Sequence, residues 1–186
     1  MRLKINILLL LVLSFFSCKK EVHIDDDRFR TWLNPDVEIE KGFTLILKTL
    51  VIKDDVFKVY YTENDSIGFN EKNTIKSKVK GRNEVQDITF YFPKEKQPIK
   101  FRIDLGSNKK QEFFKIQSIK LKNPKNSLII HQDSLLNYVE ILNKSLSYDS
   151  INNYFKVIKK PNRKYLPALI SNKRLTQELV NWYENH

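Results

Sequence analysis

From Phe43 onward the chain is built of short apolar runs separated by polar turn clusters, and within several runs the apolar positions recur every second residue. Period-two alternation places successive side chains on opposite faces of a strand. Ile99, Phe101, Ile103 and Leu105 alternate with Lys100, Arg102 and Asp104, and Ile88, Phe90 and Phe92 behave alike. One face of each is therefore buried and the other wet. The spacing predicts seven strands, over 43–52, 56–62, 74–80, 87–92, 99–105, 113–121 and 127–131. Phe114 and Ile116 set one phase and Ile119 and Leu121 the other, which predicts a bulge near Gln117 and Ser118. The expected core holds Leu45, Leu47, Phe57, Val59, Phe90, Phe101, Ile103 and Ile116. The run 43–52 is apolar on both phases, so a second layer, supplied by C-terminal helices, is expected to cover it.

Beyond Asn123 and Pro124 the period changes. Leu135, Leu136, Val139 and Leu142 fall at helical spacing behind Asp133 or Ser134 as N-cap, predicting a helix that runs to about Leu146. Tyr154 to Ile158 reads as a short strand, and Ser171 as the cap of a last helix with Leu175, Leu179 and Trp182 on one side. The expected fold class is mainly β to α+β: an antiparallel β-sandwich of about seven strands over 29–131, with a small C-terminal helical appendage over 132–186.

The first 17 residues read differently. Arg2 and Lys4 precede an apolar run, Ile5 to Phe16, interrupted only by Asn6 and Ser14, as in a signal peptide. A membrane-spanning helix needs about 20 apolar residues, and Lys19 and Lys20 end this stretch sooner. Ser17 and Cys18 follow the run, and Cys18 is the single cysteine. This segment resembles a bacterial lipoprotein signal, although Phe15 and Phe16 stand where that pattern usually has Leu and a small residue. The resemblance implies cleavage before Cys18, a diacylglycerol on its thiol, and attachment to the membrane through the N-terminal lipid. The cell envelope follows as the location, with the outer membrane favoured over the inner. Residues 18–28, with Asp25, Asp26 and Asp27 in a row, are expected to be a polar tether.

Composition narrows the chemistry. The net charge is +11, but 26 of the 33 basic residues are Lys, interleaved with acids, and only seven are Arg, the bidentate phosphate reader. No nucleic-acid partner is expected. Four glycines in 186 residues leave little for phosphate-cradling loops, and no cofactor is expected. His23, His131 and His186 show no metal-ligand spacing, and no GxSxG or HExxH occurs, so neither a metal nor an enzyme is expected. Asp104 and Glu71 are the two acids that would first come under inspection if one existed.

Four stretches carry a second resemblance: Val56 to Tyr61, Ile67 to Ile75, Ile88 to Pro93 and Ile99 to Asp104. Their order is similar to that in β-sandwich accessory domains attached to bacterial membrane proteins of cell-surface polysaccharide assembly, whose shape resembles carbohydrate-binding modules. That resemblance implies a sandwich and an envelope glycan as ligand. Sugar rings pack on flat aromatic faces. Tyr60 and Tyr91, out of phase with their strands' inward sets, and Phe69, in a polar loop, are the expected platform, with C-terminal helices covering Tyr60 and Tyr91 as the alternative. Lys76, Lys78 and Lys80 share a strand face and serve either an anionic ligand or edge protection. The expected function is a non-catalytic, lipid-anchored envelope module that binds glycan. The alternative is a structural or assembly partner of an envelope protein complex.

Overall fold

The computed structural model describes residues 42–159 and 165–184, so the expected signal peptide, Cys18 and the tether lie outside the described residues. The protein there is an antiparallel β-sandwich of two sheets with one small C-terminal helix. The strands are β1 (Thr44–Leu50), β2 (Asp55–Thr62), β3 (Thr74–Val79), β4 (Val85–Tyr91), β5 (Lys100–Asp104), β6 (Phe113–Lys122), β7 (Ser127–His131), β8 (Val139–Leu142), β9 (Leu146–Asp149), β10 (Tyr154–Val157) and β11 (Ala168–Ser171). The helix, α1, is Lys173–Glu184. Sheet 1 has the order β4-β1-β6-β10-β9, with β7 also on β6, and sheet 2 has the order β3-β2-β5-β11-β8.

Alternation decides which side chains meet between the sheets. Leu45, Leu47, Phe57, Val59, Phe90, Phe101, Ile103 and Ile116 are all buried, as the spacing predicts. Aromatic pairs bridge the layers: Phe57 lies 5.8 Å from Phe114, Tyr61 5.0 Å from Phe92, and Phe43 5.5 Å from Phe101, between ring centroids. Edge-to-face and tilted pairs of this kind add to the area they bury. The predicted bulge is present. Lys48 opposes Ser118 and the next residue, Thr49, opposes Ile116, so Gln117 is looped out and both halves of β6 send their apolar residues inward.

Two expectations about the C-terminal third are corrected. Residues 132–146 form a short 3-10 turn, Gln132–Asn137, and then strand β8, not a helix. Only Leu135 of the turn is buried, Ser134 Oγ donates back to the His131 carbonyl at 3.0 Å, and His131 makes no capping bond. β-branched Val139 and Ile141 pair instead with β11. Long-range pairing outweighs a four-residue apolar spacing. Residues 132–186, expected as a helical appendage, thus supply β8 and β11 to sheet 2, β9 and β10 to sheet 1, and a single helix. Among the described residues the strand count is eleven.

The second correction concerns the cap of α1. Ser171 belongs to β11, where its Oγ accepts from the buried Phe101 N–H at 2.9 Å, and Asn172 Oδ1 accepts from the Leu175 N–H at 3.1 Å as the N-cap. The predicted apolar side holds, with Leu175, Leu179 and Trp182 buried. Trp182 packs 6.2 Å from Phe43, so the helix closes over the inner aromatics. On the second phase of β1, Thr44 is buried, Ile46 and Leu50 half-buried and Lys48 exposed.

Candidate functional site

Strand register places the expected site residues on two separate surfaces. On β2, Phe57, Val59 and Tyr61 point into the core, which turns Tyr60 to the outer side of sheet 2. On β4, Phe90 and Phe92 point inward and Tyr91 to the outer side of sheet 1. Tyr60 and Tyr91 therefore lie on opposite outer faces, and no common aromatic platform unites them. Their exposures differ as well, 6% for Tyr60 and 48% for Tyr91. Phe69 is half-buried in the loop between β2 and β3.

Polar neighbours pack on Tyr60. Its hydroxyl donates to Glu71 Oε1 at 2.8 Å, and the Arg102 guanidinium lies 4.7 Å from its ring centroid. Arg102 Nε and Nη2 donate to the two carboxylate oxygens of Asp104, each at 2.7 Å. Burial pushes the Asp104 carboxyl above its ordinary range, against the opposing pull of Arg102. Burial, reinforced by the bond to Glu71, pushes the Tyr60 phenol up to about 12. Both acids singled out in the sequence thus meet here, and each is engaged by a side-chain donor. The group forms a fixed ion-pair and hydrogen-bond network that roofs sheet 2.

The outer face of sheet 1 is partly open: Tyr91, Asp87, Lys48, Lys122, Ser127, Ile129 and His131 are exposed, Ile46, Thr89, Ser118 and Lys120 half-buried, and Thr44 buried. Paired residues line up across β4, β1, β6 and β7 in three rows: Asp87, Lys48, Ser118 and His131; Thr89, Ile46, Lys120 and Ile129; Tyr91, Thr44, Lys122 and Ser127. Strands about 4.8 Å apart and residues about 3.4 Å apart put the corners held by Tyr91 and His131 about 20 Å from one another. Hydroxyl, ammonium and apolar groups alternate over that span.

At the His131 corner the face drops into a hollow. β6 shares one edge between two strands: Ser118 to Lys122 pair with β7, and Phe113 and Phe114 pair with β10. The looped-out Gln117 falls where one partner stops and the other begins, leaving a notch. The hollow is a shallow, largely open depression of about 370 Å³, lined by Gln117, His131, Gln132, Asp133 and Asn153. Asn153 adopts a left-handed backbone (φ 55°), its carbonyl accepts from Gln132 Nε2, and its Oδ1 accepts from the Tyr148 hydroxyl at 3.1 Å. Three amides, an imidazole and a carboxylate offer donors and acceptors around this open depression.

The residues of this notch come from three segments, and its cause is the edge-sharing on β6. The bulge near Gln117 is its one signal in the sequence. Among the described residues no group of three or more His, Cys, Asp and Glu is arranged to hold a metal, and no helix is long and apolar enough to cross a membrane. No family model, curated protein or solved structure matches the chain.

Proposed function

We propose that the protein is a non-catalytic, lipid-anchored module of the bacterial cell envelope that binds an envelope glycan along the outer face of sheet 1. The observation that carries this reading is the continuity of the exposed Tyr91 face with the amide-lined hollow, His131 belonging to both. A glycan needs an aromatic surface for the faces of its rings and paired donors and acceptors for its hydroxyls. Tyr91 supplies the first, and Gln117, Gln132 and Asn153 the second. An extended polymer lying from Tyr91 to the notch would keep one side in water, so affinities on the order of 0.1 to 1 mM are expected. Acylation of Cys18 and residence at the outer membrane in preference to the inner rest on the signal-like N-terminal segment and are part of the same reading.

A second reading, a structural partner in an envelope protein complex, is favoured by Ile129, Leu136 and Ile151, which are exposed on the segments that supply the notch. A glycan array probed with the full chain in a neutral detergent separates the two. The glycan reading expects retention on a subset of neutral or mixed polysaccharides. Uniform absence of binding, together with recovery of one stoichiometric envelope protein on crosslinking at Ile129, would leave the assembly reading in its place.

A further inference from the structure

Opposite the Tyr91 face, the outer surface of sheet 2 carries a group of lysines on its edge strand, β3, and on the neighbouring β2. Lys58 of β2 stands directly across from Lys76 of β3, and Lys78 follows two residues along on the same side, across from Val56. Like charges directly opposite one another destabilise a strand pair. Elsewhere on this sheet and its loops lysines sit beside carboxylates: Lys80 with Asp54, Lys96 with Glu63 and Lys100 with Asp65. Among the described residues Lys58, Lys76 and Lys78 form no ion pair within 4.0 Å. The acid across from Lys58 on its other side is Asp104; the Lys58 charge acts on its carboxylate, but both carboxylate oxygens accept their hydrogen bonds from Arg102.

Arg102 completes the set. Its side chain is 23% exposed, fixed from one side by Asp104 and from below by the Tyr60 ring. Of the five N–H groups of a guanidinium, two are spent on Asp104, and three remain in a fixed orientation. Lys58 and Lys76 stand one row along the sheet from Arg102, and Lys78 one row beyond them, each about 5 to 7 Å from the next, so the lysines lead away from the guanidinium edge.

We propose that this face is a second ligand surface, specific for a polyanionic polysaccharide whose carboxylate or sulfate substituents meet Lys58, Lys76 and Lys78, one of them descending to Arg102. Substituents that project from a chain reach a recessed guanidinium, whereas a flat layer of lipid headgroups meets the lysine tips alone. This is what favours an acidic polymer over an anionic membrane. The surface is independent of the Tyr91 face and extends the proposed function to a second class of ligand.

Amine acetylation footprinting of the full chain in neutral detergent micelles tests it, with polygalacturonate as the probe, dextran as its uncharged counterpart, and micelles doped with phosphatidylglycerol as the membrane arm. Polygalacturonate is expected to slow acetylation of Lys58, Lys76 and Lys78 at least about fivefold, with dextran inert and Lys120 and Lys122 on sheet 1 reacting as before. The protection should fade as the salt rises toward about 0.5 M, where charges are screened within a few ångströms. Lys58→Gln combined with Lys76→Gln should weaken polygalacturonate binding about tenfold while leaving the melting temperature unchanged or higher, since a like-charge pair is removed. Equal protection on both sheets, unchanged affinity in the double variant, or protection by phosphatidylglycerol alone would overturn the proposal. Neutral-glycan binding in the same double variant reports separately on the Tyr91 face, so the loss of one reading is distinguishable from the loss of the other.

Discussion

Gly106 follows β5 with φ +93°, a region L side chains rarely adopt, and a Cβ there would collide with the Asp55 carboxylate. That carboxylate accepts from the Ser107 N–H at 2.9 Å and the Asn108 N–H at 2.9 Å, tying the loop after β5 to the start of β2. Gly106→Ala is expected to cost about 1 to 3 kcal/mol in chemical denaturation, and a loss below about 0.5 kcal/mol would show that the loop is free to move aside. Tyr60 makes a different kind of prediction. Its phenol ionises near pH 10 when unfolded and near 12 in the fold, so the native state holds the proton more tightly. Its contribution is fully present below pH 10 and is lost as pH climbs toward 12. Tyr165, also held at about 12, and Tyr183, raised further by burial, act in the same direction. Denaturation at pH 9 and pH 11.5 should show a fall in stability that is smaller in Tyr60→Phe, and an identical fall in the two proteins would remove Tyr60 from the alkaline transition.

At the scale of elements, the strands and the bulge on β6 follow from period-two alternation, because each has one face against a core that accepts only apolar groups. Phe101 is an example: it alternates with Lys100 and Arg102, and it lies 5.5 Å from Phe43 and 5.8 Å from Phe92 between ring centroids. Phe101→Ala is expected to cost about 3 to 5 kcal/mol, and a loss below about 1 kcal/mol would mean that β5 faces the other way. What alternation does not carry is partnership. Val139 and Ile141 also fit a helical spacing with Leu135, and only β11, some 30 residues on, makes them a strand. Ser171 and Asn172 are both competent N-caps, and only the Phe101 N–H across the sheet assigns Ser171 to the strand. Tyr60 and Tyr91 are both out of phase with their cores. Arg102 and Glu71, contributed by another strand and a loop, bury the first and leave the second open. The notch beside Gln117 likewise depends on two strands sharing one edge, a relation that no local pattern encodes.

At the scale of the whole molecule the chain crosses between the sheets repeatedly, with β1 in sheet 1, β2 and β3 in sheet 2, β4 in sheet 1 and β5 in sheet 2, through to β11. Each sheet therefore contains strands from both ends of the described chain, which ties β8 to β11 into the same core as the strands before them. The result is two broad outer faces of different character: a mixed, partly aromatic face on sheet 1 and a cationic one on sheet 2. Replacing Cys18 with Ala should abolish incorporation of labelled palmitate, because the chain holds no other cysteine to acylate. Label retained in Cys18→Ala would sink the lipoprotein assignment while leaving the glycan faces to be judged on their own. Reductant should leave the melting temperature of the protein unchanged, since one cysteine forms no disulfide within the chain.

The glycan reading turns most directly on Tyr91, the one candidate aromatic that is both exposed and continuous with the hollow. The decisive measurement is the affinity of Tyr91→Ala, relative to the unaltered chain, for whichever polysaccharide the array identifies, taken alongside both melting temperatures. A weakening of about tenfold, or about 1.4 kcal/mol, with no change in melting is the predicted result. An affinity unchanged by the substitution would contradict glycan binding on the outer face of sheet 1.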